Sequence, residues 1–509
     1  MTDYYANNVM VGDSPPVPMG FRETITPCLF SGASANIVGQ TDAFTNVSAG
    51  DPLYICDVGD GAAIVGMYRV ETKTDDEHLT LDRNGASAEA MNITVAANPR
   101  NGLLETGSGG LEYGPFPSIK YALDGQLSAG DILWVKSGDG WILDNIDQQA
   151  STITVSSCGV VANNTRVSIK GYYETKGDMC PGGTYHGTPM DALLDSLSLP
   201  MLNPNAKWVD IDGDGIAAHL ISTADDNIFW HNFSIHGTTG NYNAIMTTAA
   251  VVGGGAVNCV FDDVFGAVYY HTSSRGVLFR NCAVGLNTVL RSSGSSIAMR
   301  GSGCLVLNNI GKEANGRRHL GLEYVGEDET YGGAVIGNLF IGGTSSRSQT
   351  VGSVWANNTF WDCERTSDPT ETGAINIVAG TSGQDAISFI FNNVMSPKHI
   401  TGYGVKIDSG KGSVSVNDNN LIYSQTAGAV LTNKYGSGGN TIPDGTGIIE
   451  VDPQLATNSY EPRNRNVLNG GHSGIAGLAS GMGVRLPEFI GGSFARRTRY
   501  QSGLLKYKW

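Results

Sequence analysis

Two pairs of adjacent aspartates, Asp225-Asp226 and Asp262-Asp263, are the side chains most suited to covalent chemistry in this chain of 509 residues. Two carboxylates on either side of a sugar can cleave a glycosidic bond, one as acid and the other as base or nucleophile. The competing reading makes both pairs turn residues, beside Asn227 and Val264. A second candidate is the string Asp210-Ile211-Asp212-Gly213-Asp214-Gly215. Three alternating carboxylates favour a hard cation, and the string matches the first half of an EF-hand loop. The twelfth position from Asp210 is Ile221 where that loop needs Glu, so an EF-hand is excluded. A looser Ca2+ site and a Gly-rich turn before a strand at 217–222 both stay open, and no other cofactor is expected. The longest charged segment, 312–330, carries Arg317, Arg318, His319 and Glu323. It reads as an excursion between structural elements, available for a glycan or a neighbouring subunit. The cluster Arg496, Arg497 and Arg499 makes the C-terminal stretch locally basic, as an assembly tail would be. No phosphate-binding loop, serine nucleophile elbow or His/Cys metal cluster is present.

What must position these residues is a repeat. Eight segments share one form, a short apolar strand, a polar corner and a second short strand: 227–237, 256–266, 276–285, 304–311, 334–343, 353–363, 388–395 and 413–423. Aligning the corners gives Asn232, Cys259, Cys282, Asn309, Asn338, Asn358, Asn393 and Asn420, with gaps of 27, 23, 27, 29, 20, 35 and 27 residues. A period in this range signals a stacked repeat architecture. Strand pieces of four to six residues are too short for helical repeats. Asn at a sharp corner tolerates a left-handed backbone. One rung is ~4.8 Å above the next, so like amides can hydrogen-bond along the stack. These residues are therefore expected to form a structural column.

The flanks differ from the repeat. Residues 1–27 are polar and rich in Pro and read as an extended arm, and 28–100 as a small β-barrel or sandwich with Gly/Asp turns. A short amphipathic helix is expected near 118–127, capping the stack, and 475–509 as a tail outside it. The segments 107–137 and 446–474, with Asp452-Pro453 and Leu455 in the latter, resemble the entry and exit segments of right-handed, single-stranded parallel β-helix proteins of the pectate-lyase-like kind. The resemblance covers roughly 107–474 and implies an all-β fold. It implies little about activity, because such folds serve as lyases, hydrolases, adhesins and phage tailspikes. The Gly-His-Gly and Arg-Ile-Lys motifs of polygalacturonase-like enzymes are missing; Ser234-Ile235-His236-Gly237 and Ser168-Ile169-Lys170 are poor substitutes.

Composition narrows the function. Gly is abundant at 69 residues and charged residues make up only 16%, which suits an all-β chain with many turns. A net charge of −16 argues against a general nucleic-acid binder. No apolar run of membrane length occurs, and the N-terminus lacks the pattern of a signal peptide. The eight cysteines show no CxxC pair and read as reduced, made in a host cytoplasm. The expectation is a structural protein of a bacteriophage virion (tail spike, fibre or capsid-surface component). Its expected partners are other virion proteins, further copies of itself and a cell-surface polysaccharide. A polysaccharide lyase or glycoside hydrolase is the alternative, and a bacterial surface adhesin the second.

Overall fold

The computed structural model describes most residues within 2–97, 115–177 and 209–464; residues 98–114, 178–208 and 465–509 lie outside that description. The chain divides into two compact units, Met1–Asp178 with Lys207–Ile228, and Met179–Ala206 with Phe229–Trp509. No helix among the described residues is long and apolar enough to cross a membrane.

The first unit contains a closed antiparallel barrel. Its strands, in order around the barrel, are Glu23–Phe30, Asn36–Val38, His78–Leu81, Gly66–Lys73, Pro52–Val58 and Met91–Ala97. Alternation builds it: His78 and Thr80 face outward while Leu79 and Leu81 enter a core with Ile37, Phe44, Leu53 and Ile55. The hairpin between Gly66–Lys73 and His78–Leu81 turns on Asp75, whose carboxylate accepts the Glu77 N–H at 2.8 Å. Closure leaves the barrel without an open edge.

The same unit holds the start of the parallel sheets. Residues 1–27 are not simply an arm. The strand Asp3–Ala6 pairs in parallel with Ile132–Lys136, which pairs in turn with Val167–Tyr172. An edge strand with free backbone groups is thereby paired. The helix Ile119–Leu123 buries Ile119, Ala122 and Leu123, and its Leu123 carbonyl accepts the Cys158 thiol at 3.2 Å.

The second unit coils as a parallel β-helix. Each coil gives one strand to a first sheet and further strands to a second. In the first sheet run Ile228–His231, Gly255–Val257, Leu278–Arg280, Leu305–Leu307, Ala334–Ile336, Val351–Ala356, Ala386–Phe391 and Gly412–Asp418, all parallel to their neighbours. Their register stacks one inward residue per coil: Trp230, Ala256, Phe279, Val306, Val335, Trp355, Ile390 and Asn417. None of these is more than 1% exposed, so Trp230 and Trp355 fill the core and are not sugar platforms. The segment 312–330 departs from expectation. The strand Ile310–Glu323 runs through its first two-thirds, with Arg318 paired to Ser295 and Thr344 and Glu323 to Arg300. At Arg318, Gly321 and Leu322 neighbouring strands flank it on both sides and take up backbone groups that a solvated loop would leave to water, while the register shifts between Glu313 and Arg318.

Candidate functional site

The corner between the two sheets is the most completely built feature of the second unit. It consists of two adjacent residues per coil with different duties. The first adopts the left-handed conformation: Asn258 (φ 60°), Asn281 (52°), Asn308 (55°), Gly337 (69°), Asn357 (54°), Asn392 (57°) and Asn419 (52°). The second turns its side chain into the core: Cys259, Cys282, Asn309, Asn338, Asn358, Asn393 and Asn420. The sequence reading gave both duties to one residue, and it misplaced Asn232. That residue has φ 66° and accepts from Asn258 Nδ2 at 2.8 Å, so it belongs to the left-handed column. Phe233 holds the inward position of its coil.

From Asn309 the inward amides form a ladder. Nδ2 of each donates to Oδ1 of the next, at 2.9 Å for Asn309–Asn338, Asn338–Asn358 and Asn358–Asn393, and at 3.0 Å for Asn393–Asn420. Each of these Oδ1 atoms also accepts the backbone N–H of the preceding ladder residue, at 2.8–3.0 Å. The other Nδ2 proton reaches back to the inward column: Asn309 to Phe279 O, Asn338 to Val306 O, Asn358 to Val335 O, Asn393 to Trp355 O and Asn420 to Ile390 O. The two cysteines reproduce that last bond weakly, Cys259 Sγ to Trp230 O and Cys282 Sγ to Ala256 O, both at 3.6 Å. Burial pushes the Cys282 thiol well above its ordinary value, so it stays protonated and able to donate. At the far end Asn420 donates to Asn417 Oδ1, Asn417 to Tyr435 OH, and Tyr435 to the exposed Asp444. The ladder's row of donors thus ends on a carboxylate in solvent.

The predicted chemical residues are not gathered into one place. Asp225 is tied into the first unit, where its Oδ2 accepts the Cys158 N–H at 2.6 Å and its N–H bonds Thr223 Oγ1 at 3.1 Å. Asp226 is half-buried beside it, while Asp262 and Asp263 lie outside the described residues. Asp210, Asp212 and Asp214 sit on the strand Val209–Ile216, not in a turn. Asp210 and Asp212 alternate with buried Val209, Ile211 and Gly213, so both carboxylates share the outer face. Nothing is described of the side chains of Arg317, Arg318, His319 and Glu323, and Arg496, Arg497 and Arg499 lie outside the described residues. Trp361 is a partial cover over Val394, Leu421 and Leu455. Cys28, Cys158, Cys259, Cys282, Cys304 and Cys363 are buried thiols, and burial pushes Cys304 up to about 11 and Cys28 and Cys363 up to about 12.

A different polar group does come together on the second sheet. Arg347, Asn376 and Lys406 occupy successive coils at one register position, between inward-facing neighbours such as Ile375 and Ile377. They stack a guanidinium, an amide and an ammonium at ~4.8 Å steps on the side of the sheet away from the core, with Arg347 partly exposed and Asn376 between them buried at 7%. Gly436 continues the row. A Cβ there would come within 3.0 Å of Lys406 Cγ, so its absence lets the lysine stem lie across it. Such a row offers charge-assisted hydrogen bonds to carboxylate or sulfate groups. The sequence reading missed it because its members are 29 and 30 residues apart and nothing but coil register aligns them.

No protein-family model matches the chain, and no curated protein matches it. Among solved structures, a GH136 lacto-N-biosidase from Eubacterium ramulus is similar at 10% identity with a TM-score of 0.33, over 66% of this chain and 63% of that one. The catalytic unit of a GH87 alpha-1,3-glucanase from Streptomyces thermodiastaticus is similar at 11% identity and a TM-score of 0.31, over 84% and 90%. The tailspike protein gp49 of Pseudomonas phage LKA1 is similar at 10% identity and a TM-score of 0.16, over 89% and 67%. Likeness at this level transfers no activity.

Proposed function

We propose that this chain is a structural component of a bacteriophage virion, a spike, fibre or surface protein, whose β-helix serves as a stiff mount and touches cell-surface polysaccharide. The observation that carries the reading is the buried amide ladder. Five consecutive asparagines have their side-chain donors satisfied, in the first four by the coils on either side and in Asn420 by the preceding coil and by Asn417 of its own. A network of that kind resists bending, because tilting one coil breaks bonds on both sides. Six buried thiols without a disulfide suit a body assembled in a reducing cytoplasm. Arg347 and Lys406, one coil to either side of the buried Asn376, supply a local cationic contact for acidic glycan on a chain of net charge −16.

The test is the protein content of particles banded on a density gradient from lysed host cells. The chain should be present at a fixed copy number per particle. Particles carrying Arg347→Glu with Lys406→Glu should assemble normally yet adsorb more slowly to encapsulated cells. Absence of the chain from banded particles overturns the structural reading, and unchanged adsorption removes the glycan contact.

A further inference from the structure

The outer face of the first sheet in the second unit is apolar along its length. Coil register aligns two outward positions in each of eight coils. In four consecutive coils they hold Leu278, Leu305, Leu307, Ile336 and Val354, all partly exposed, with Phe389 continuing the strip. Of the sixteen outward positions, only those of His231, Arg280 and Asp418 carry a titratable side chain. An antiparallel sheet can leave one face to water, but parallel sheets are ordinarily covered on both.

We infer that this face is an interface between two copies of the chain, packed antiparallel about a two-fold axis between the fourth and fifth coils. The dimensions fit. Eight coils at ~4.8 Å spacing give a strip about 34 Å long, and with side chains about 15 Å wide it offers roughly 500 Å². Two copies together reach the ~1,000 Å² that a specific interface must clear. A second copy matches this strip in length and character by construction, as an isologous contact requires.

The few polar residues select the orientation. In the antiparallel arrangement coil n meets coil 9 − n. Asp418, in the eighth coil, then faces the coil of His231. Arg280, in the third, faces the coil of Val354, where no second cation stands opposite it. In a parallel arrangement each coil meets its own copy, so Arg280 shares a layer with the partner's Arg280 and Asp418 with the partner's Asp418, and like charges that close oppose association.

The experiment uses the full chain in sedimentation velocity with spin labels at introduced cysteines. A dimer is expected at micromolar concentration. Leu305→Glu places two carboxylates per dimer at its centre and should weaken association by about 100-fold. The position faces outward, so the variant's far-UV circular dichroism and melting temperature should stay those of the parent monomer. Labels at Leu305→Cys should lie within about 15 Å of each other across the dimer, and labels at Phe229→Cys about 34 Å apart, seven coil steps. Short distances at both positions, a stable monomer at all concentrations, or loss of the fold in Leu305→Glu would each overturn the inference. Particle membership does not enter these readouts, so the interface and the virion reading stand or fall separately.

Discussion

At the residue scale the second unit depends on a division of labour between neighbours. One residue supplies backbone strain relief and the next supplies hydrogen bonds. Asn358 shows the consequence. Its Oδ1 accepts both Asn338 N–H at 3.0 Å and Asn338 Nδ2 at 2.9 Å, and its Nδ2 feeds Val335 O and Asn393 Oδ1. Asn358→Ala leaves two buried donors without an acceptor, at about 1–3 kcal/mol each. A loss of about 3–5 kcal/mol in unfolding free energy is expected in urea titration, or a correspondingly faster unfolding rate if refolding fails. Cys282→Ala removes only a weak S–H donor bonded at 3.3 and 3.6 Å, and should cost about 1 kcal/mol. Equal losses in the two variants would show that the column acts by packing alone. Most of this ladder was legible in the sequence, because inward Asn recurs at every coil from Asn309. The error at Asn232 came from a legible signal left unused. Asn308-Asn309, Asn357-Asn358, Asn392-Asn393 and Asn419-Asn420 are dyads, left-handed residue first and ladder residue second. Asn258-Cys259, Asn281-Cys282 and Gly337-Asn338 obey the same rule, and Asn232-Phe233 read that way puts Phe233 inward.

At the element scale, strands this short hold their places through close backbone approach. Gly255 opens the strand Gly255–Val257 with φ 147°, and a Cβ there would lie 1.7 Å from the carbonyl oxygen of Leu278 in the next coil. Gly276 also has a positive φ, +70°, yet a Cβ would meet nothing within 4 Å. Gly276→Ala pays only for the left-handed backbone, about 1 kcal/mol. Gly255→Ala must push two paired coils apart as well, and a loss of about 3 kcal/mol or more is expected. Comparison of the two unfolding midpoints checks this, and a Gly255→Ala midpoint equal to that of Gly276→Ala would mean the coils yield freely. Such a glycine is not recognisable in a chain with 69 of them. The same holds for the strand Ile310–Glu323. Its charges read as a solvated segment, and only its neighbours on both sides make it a strand. Coil register, which local sequence does not carry, likewise hid the row Arg347, Asn376, Lys406.

At the scale of the whole second unit, stability should be close to additive in coils, since each touches only its neighbours. The coil from Leu339 to Asn358 offers a direct trial, being the shortest at 20 residues between ladder positions. Its removal joins Asn338 to Thr359. That restores the native step from a ladder residue into a second-sheet strand, and sets Asn338 directly beneath Asn393 in the amide column. The deletion should therefore fold, with a parallel-β spectrum and a single cooperative transition at lower temperature. Some of the loss comes from a hydroxyl cluster in the core. Ser388 Oγ pairs with Ser353 at 2.9 Å and Ser348 at 3.3 Å, and both partners leave with the coil. Ser388→Ala placed on the deletion should then recover part of the lost stability, because it removes the stranded hydroxyl. Removing residues 339–348 alone cuts the same coil in half, takes the Asn358 corner out of register with Asn338, and should give an insoluble or molten chain. If the half-coil and whole-coil deletions behave alike, the coils are not interchangeable units and the rigidity must come from somewhere other than their stacking.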